Sequence, residues 1–292
     1  MRRLVPVLLL VLAPSAAVAT AAASDIDESQ PTGVELLDRG AAPRERLRYD
    51  LVLGREQDVQ VSSFDRLSFT VDGGLAQTAA TAELAFDLHT TVIGADDGAV
   101  DLAILYSPVP PADGELPREL FSVNGLVVNL ELDDRGEVLG TLVAPAEEVT
   151  PELKPLVEQI EDQAESLVTP FPAEAIGIGA RWSATTQHAL DGIQFEQTVV
   201  FELVSKDGNR IKIDTDLRQS ATPQTFLNAS TGAPVQLLSW TATGEGASTL
   251  RLDRIMALRG ETRLRVRQEL DSGETTVSQM RRSRLLIGPS DF

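Results

Sequence analysis

The chain has 292 residues, 42% hydrophobic, with 25 Lys and Arg against 44 Asp and Glu for a net charge of −19, and it contains no cysteine. That length and apolar fraction are enough for a sizeable core, built as one large domain or two packed ones. The acidity argues against nucleic acid and anionic membranes as partners, and the missing cysteine rules out disulfides and lipidation at a cysteine.

Arg2 and Arg3, an apolar run from Leu4 to Ala13, and the small residues Ala17-Val18-Ala19 and Ala21-Ala22-Ala23 form the pattern of a secretory signal peptide over residues 1–23. The run is shorter than the ~20 residues a bilayer requires. No transmembrane segment is therefore expected after cleavage, and the chain is expected to be exported, periplasmic or extracellular. Loss of Arg2 and Arg3 leaves 23 basic residues against 44 acidic ones, a net charge of −21. Residues 24–45, with Asp25, Asp27, Glu28, Pro31 and Pro43, have weak periodicity and read as a flexible lead-in.

Residues 46–149 read as a first β-rich half. Leu47, Tyr49, Leu51 and Leu53 alternate, as do Leu67, Phe69 and Val71 before the turn Asp72-Gly73-Gly74. Leu84, Phe86, Leu88, Thr90 and Val92 run to a turn at Asp96-Asp97-Gly98, and Val100, Leu102 and Ile104 return as a hairpin. Pro108, Pro110, Pro111 and Pro117 place a loop at 107–118, across an edge or rim. Leu126 to Leu132 and Val138 to Val143 then pair about Asp134-Arg135-Gly136.

Residues 150–170 carry the one long helical signal. Thr150, Pro151 and Glu152 suit a helix start, and Leu153, Leu156, Val157, Ile160, Ala164, Leu167 and Val168 recur at spacings of three and four. Pro155 interrupts the first turn, and Pro170 and Pro172 end the helix.

Residues 171–292 read as a second β-rich half. Phe195 to Leu203 and Ile211 to Leu217 flank the turn Lys206-Asp207-Gly208-Asn209, and strands follow at 235–243, 248–258 and 262–270 before a final pair ending near Ile287. The two Asp-Gly hairpins, one from Glu83 and one from Thr198, are alike enough to suggest an internal repeat.

No motif of established chemistry appears. His89 and His188 fall in strands of different halves, so a joint site requires the halves to converge. Asp96-Asp97, Asp133-Asp134 and Glu147-Glu148 match neither a calcium loop nor an acid/base pair, since adjacent strand residues point to opposite faces. There is no H-E-x-x-H, G-x-S-x-G, S-x-x-K or phosphate-binding glycine loop, so no metal, cofactor or catalytic residue is assigned. Nine arginines lie between Arg251 and Arg284, with Arg263, Arg265 and Arg267 on one strand face and Arg281, Arg282 and Arg284 on its neighbour. They either cross-pair with acids or form a patch for an anionic head group or envelope polymer. An outer-membrane barrel is disfavoured, because aromatics are only 4% and GPSDF is no closing strand.

At Pro172, Glu174, Gly177, Gly179 and Trp182 the chain resembles a family of uncharacterised exported bacterial proteins, a domain of unknown function in which this segment follows a central helix and opens a β-rich second half. The resemblance implies compartment and architecture and transfers no catalytic residue. More loosely, many strands and one covering helix are similar to periplasmic half-barrel lipid carriers.

The expected fold is mainly β (α+β), with antiparallel sheets in two similar-sized halves joined and partly covered by the central helix. The expected function is a noncatalytic extracytoplasmic binding or carrier protein of the bacterial envelope. A lipid or other apolar or amphipathic ligand would lie against Leu156, Ile160, Leu167 and Trp182. The alternatives are a structural or protein-interaction module without a small ligand, its partner an envelope protein or polymer, and an uncharacterised hydrolase.

Overall fold

The structure is a computed structural model that describes residues 33–80, 83–96, 98–111, 120, 123–144, 160, 164–190, 192–228 and 232–290. The expected signal peptide over residues 1–23, residues 24–32 of the lead-in, Asp97, Glu147-Glu148, Pro155 and Leu156 lie outside the described residues.

The chain is mainly β. Its strands are β1 (Val34–Asp38), β2 (Glu56–Val71), β3 (Gln77–Ala80), β4 (Leu84–Asp96), β5 (Ala99–Val109), β6 (Leu126–Asp133) and β7 (Val138–Ala144). They continue with β8 (Arg181–Leu190), β9 (Ile193–Asp207), β10 (Arg210–Ala221), β11 (Gln224–Leu227), β12 (Pro234–Arg251), β13 (Arg259–Asp271) and β14 (Thr276–Gly288). All belong to one antiparallel sheet ordered β1-β8-β9-β10-β12-β13-β14-β2-β4-β5-β6-β7, with β11 beside β12 and β3 beside β2.

The two expected halves are thus corrected to a single sheet. The join is made by β14, which pairs with β2 from Val277↔Val71 to Gly288↔Gln60. A ladder of that length between the last strand and an early one satisfies backbone groups that two separate sheets would leave at open edges.

The expected central helix is not supported as one long element: residues 150–159 and 161–163 lie outside the described residues, and of the rest Ile160 and Ala164 to Ser166 are helical while Leu167 to Pro170 are not. Ile160, Ala164, Leu167 and Val168 are buried in the main core, so these residues form part of its wall.

Other expectations are refined. Residues 33–45 of the lead-in are built into the fold: β1 pairs with β8, and Ala41 and Glu45 donate backbone N–H groups to Ile178 and Ile176. Leu47 and Tyr49 are buried as their alternation predicts, but residues 47–52 form no strand. Their backbone is held instead by Tyr49 N–H to the Asp134 carbonyl and Asp50 N–H to that of Leu252. Pro108 lies inside β5, beyond the last β5–β6 pair Tyr106↔Leu126, where its missing N–H costs no ladder bond. Residues 234–251 form one strand where a break at 244–247 was expected. Gly246 explains this: a Cβ there would come within 2.6 Å of Thr215 Oγ1 and 2.9 Å of Thr262 Oγ1, so the strand passes between its neighbours only without a side chain.

Two apolar clusters occupy the inner face. The larger takes Val59 and Val61 of β2, Leu88 of β4, Leu102 and Ile104 of β5, Trp182 of β8, Phe201 of β9 and Ile211 and Ile213 of β10. Strands remote in the order share this cluster, so the sheet curls until its ends meet over one core. A run of aromatic contacts crosses that meeting point: Tyr49 to Phe171, Phe171 to Trp182 and Trp182 to Phe201, with centroids 5.0, 6.3 and 5.5 Å apart. The smaller cluster, around Phe226, Leu237, Trp240, Val266 and Leu270, lies at the opposite strand ends.

Candidate binding site

Of the residues expected to line a ligand groove, Leu156 lies outside the described residues, and Ile160 is 3% exposed, Leu167 7% and Trp182 0%, all three belonging to the main apolar core. Trp182 donates its indole N–H to the Pro170 carbonyl at 2.8 Å and stacks on Phe201. Gly177, of the same sequence motif, has its α-carbon pressed against the Ala41 carbonyl, where a Cβ would lie 1.7 Å from the oxygen. The Pro172 to Trp182 motif is therefore architectural: it clamps the segment after β1 onto β8.

The histidines stay apart. His89 is on β4 and His188 on β8, with six strands between them in the sheet order. His188 touches the Thr186 hydroxyl at 2.8 Å and stacks on Phe195, and burial holds its pKa below the usual imidazole value. His89 has the better chemistry, with Nδ1 2.6 Å from Asp58 Oδ1 across the β2–β4 ladder and Nε2 3.3 Å from Thr91 Oγ1. An acyl-transfer site also needs free donors for an oxyanion. Here β4 is paired on both sides, Thr91 lying opposite Glu56 and Ala103, so the strand backbone is taken up by its ladders.

The carboxylates of the Asp133-Asp134 pair have structural partners. Asp133 accepts the backbone N–H groups of Arg135 and Glu137 and the Arg135 guanidinium, which also reaches Glu137, and Asp134 pairs with Arg48 at 3.3 Å. Among the described residues, no three His, Asp or Glu side chains gather in a metal-ligand arrangement.

The described cavity with a chemical character of its own is on the outer face. In β10, Ile211 and Ile213 are buried, so strand alternation turns Lys212 and Asp214 outward. Register carries that face along Lys212↔Thr249↔Arg259 and along Asp214↔Ala247↔Glu261↔Leu286↔Ser62. These residues line a pocket of about 640 Å³ whose apolar wall includes Val204, Ala247, Leu286, Ile287 and Pro289. At Gly288 an added Cβ would meet nothing within 4 Å, so the chain itself leaves room at this wall. A second pocket, of about 730 Å³, shares Arg259 and Pro289 and is bordered by Asp58, Arg210 and Arg254. Arg254 donates to the Glu56 carbonyl. Lys212, Arg210 and Arg259 have no ion-pair partner among the described residues, whereas Glu261 is bound by Arg263 at 2.8 Å and Arg284 at 2.9 Å, which hold its carboxyl below the usual range.

An apolar wall with free cations at its edge is chemistry for an amphipathic anion. Lys212 and Asp214 read in sequence only as the solvent side of an amphipathic strand. That four more strands bring Arg259, Leu286 and Ser62 beside them is a matter of register, which no local pattern encodes. No protein-family model matches the chain, and no curated protein matches it.

Proposed function

We propose that the chain is a noncatalytic extracytoplasmic binding protein of the bacterial envelope, and that its ligand is an amphipathic anion held in the outer-face pocket. One observation carries this reading. Lys212 and Arg259, both without a carboxylate partner among the described residues, border a pocket of about 640 Å³ walled by Val204, Ala247 and Leu286. A volume in that range suits a small organic ligand, with apolar burial supplying affinity and the two cations fixing the position of the anionic end. The export pattern of residues 1–23 supports an extracytoplasmic compartment.

Titration calorimetry with decanoate and decyltrimethylammonium tests it. Saturable binding of decanoate is expected, about tenfold weaker in each of the single variants Lys212→Gln and Arg259→Gln, as loss of one charge-assisted contact of ~1.5 kcal/mol implies. Decyltrimethylammonium should bind worse than decanoate. Equal binding of the two probes, or decanoate binding unweakened in both variants, overturns the reading.

The burial of Ile160, Leu167 and Trp182 in the main core favours a second reading, an interaction module with no small ligand. Complete absence of decanoate binding by the folded protein would select it.

A further inference from the structure

We propose that the outer face of β10, β12, β13, β14 and β2 binds a single chain of an acidic polysaccharide, laid across the strands. The observation is one register row: Arg218↔Thr243, Thr243↔Arg265, Arg265↔Arg282 and Arg282↔Arg66. Residues directly opposite in antiparallel strands share a face, and all five are exposed. Neighbouring strands lie about 4.8 Å apart, so the row spans about 19 Å with a guanidinium on four of its five strands.

The row is electrostatically unfavourable as it stands. Arg265, Arg282 and Arg66 are like charges directly opposite one another on three adjacent strands, an arrangement that destabilises a sheet. No carboxylate among the described residues pairs with any of the four arginines, although the chain has 44 acidic residues to draw on. The adjacent row shows the contrast, with Arg263 and Arg284 tied to Glu261 and Arg263 also 3.8 Å from Glu245. Protection of a sheet edge is no explanation either, since β13, β14 and β2 are interior strands. Arg267, exposed one row further, extends the cationic strip.

Shape selects the partner. A straight row of guanidiniums at strand spacing suits a polymer that presents carboxylates in single file, each able to take a bidentate fork. The strip is bordered by Asp216 and Glu245 and carried on a chain of net charge −19, so a broad polyanion such as duplex nucleic acid would overhang repelling surface. The proposal is independent of the pocket.

The test is binding of polygalacturonate to the full-length protein at low ionic strength, followed as a function of salt. Native protein should show a slope of log affinity against log salt near −3, from ~0.7 counterion per neutralised charge. Arg265→Gln/Arg282→Gln should bind about tenfold more weakly with roughly half that slope, while its thermal melt stays at or above native because the like-charge contact is relieved. Arg39→Gln/Arg181→Gln, which removes the same charge elsewhere, should bind as native does. Should the glutamine variant fail to fold, Arg265→Lys/Arg282→Lys keeps the charge and should keep the slope while losing affinity. No binding at low salt, an unchanged affinity in the glutamine variant, or tighter binding of single-stranded oligothymidylate than of polygalacturonate overturns the proposal.

Discussion

Arg281 Nε and Nη2 donate to the two carboxylate oxygens of Asp65 at 2.8 and 3.1 Å, bridging β14 and β2 on the inner face of the sheet. One residue on, Arg282 points outward, directly opposite Arg265 on one neighbouring strand and Arg66 on the other. Strand alternation gives two adjacent arginines opposite fates, one locked in the seam that joins early and late sequence and one left for a partner.

Asp65 is 7% exposed and also accepts from the Ser283 hydroxyl. Asp65→Ala should cost about 3–5 kcal/mol, because it strands a part-buried guanidinium. Asp65→Leu/Arg281→Met should recover most of that loss, since both charges are then gone. Urea denaturation of the three proteins measures both.

Gly177 should not tolerate a side chain. The Cβ of Gly177→Ala would sit 1.7 Å from the Ala41 oxygen and 2.9 Å from the Pro43 oxygen, both backbone atoms that move only with their segment. A loss of more than about 2 kcal/mol is expected. In hydrogen exchange, protection should be lost first at β1 and at the Ala41 and Glu45 amides, with β13 and β14 unaffected.

Two buried tyrosines should respond oppositely to the same change. Tyr49 donates its hydroxyl to the Thr169 carbonyl at 3.0 Å, whereas the Tyr106 hydroxyl is buried with no partner among the described residues. Burial pushes both phenols well above their ordinary range. Tyr49→Phe should destabilise by about 1 kcal/mol, and Tyr106→Phe should be neutral or stabilising, as thermal melts will show.

Stability should carry two pH dependences of opposite sign. Burial raises the Glu165 carboxyl above its usual value, against the pull of the Thr141 hydroxyl at 2.6 Å. The folded state therefore binds that proton more tightly, and the contribution is complete below the ordinary carboxylate value and lost as pH rises through the raised one. Glu165→Gln should melt higher than native near neutrality, with the gap closing in acid. Burial lowers His188, whose contribution is present above the ordinary imidazole value and lost as pH falls through the depressed one. His188→Gln should flatten the loss of stability in that range.

Much of the fold was legible because it rests on local alternation. The hairpins at 84–109 and 193–221 follow from period-two patterning and Asp-Gly turns, and both form as expected. The long helical signal was legible only in part: the apolar spacing of Ile160, Ala164 and Leu167 records burial, and burial alone does not distinguish a lid over a groove from the wall of a core. The same limit applies at Leu47 and Tyr49, which are buried without belonging to a strand.

By itself the sequence determined that the protein is β-rich, acidic and without cysteine, and which side of most strands faces inward, because these depend on composition and on neighbours two residues apart. Only the tertiary structure decided that β14 closes onto β2 to make one sheet, that Pro172 to Trp182 clamps the early chain, and that Lys212 and Arg259 share a pocket. Those relationships join residues tens to hundreds of positions apart. They are set by strand register and by the curl of the sheet, which depend on the whole set of pairings at once.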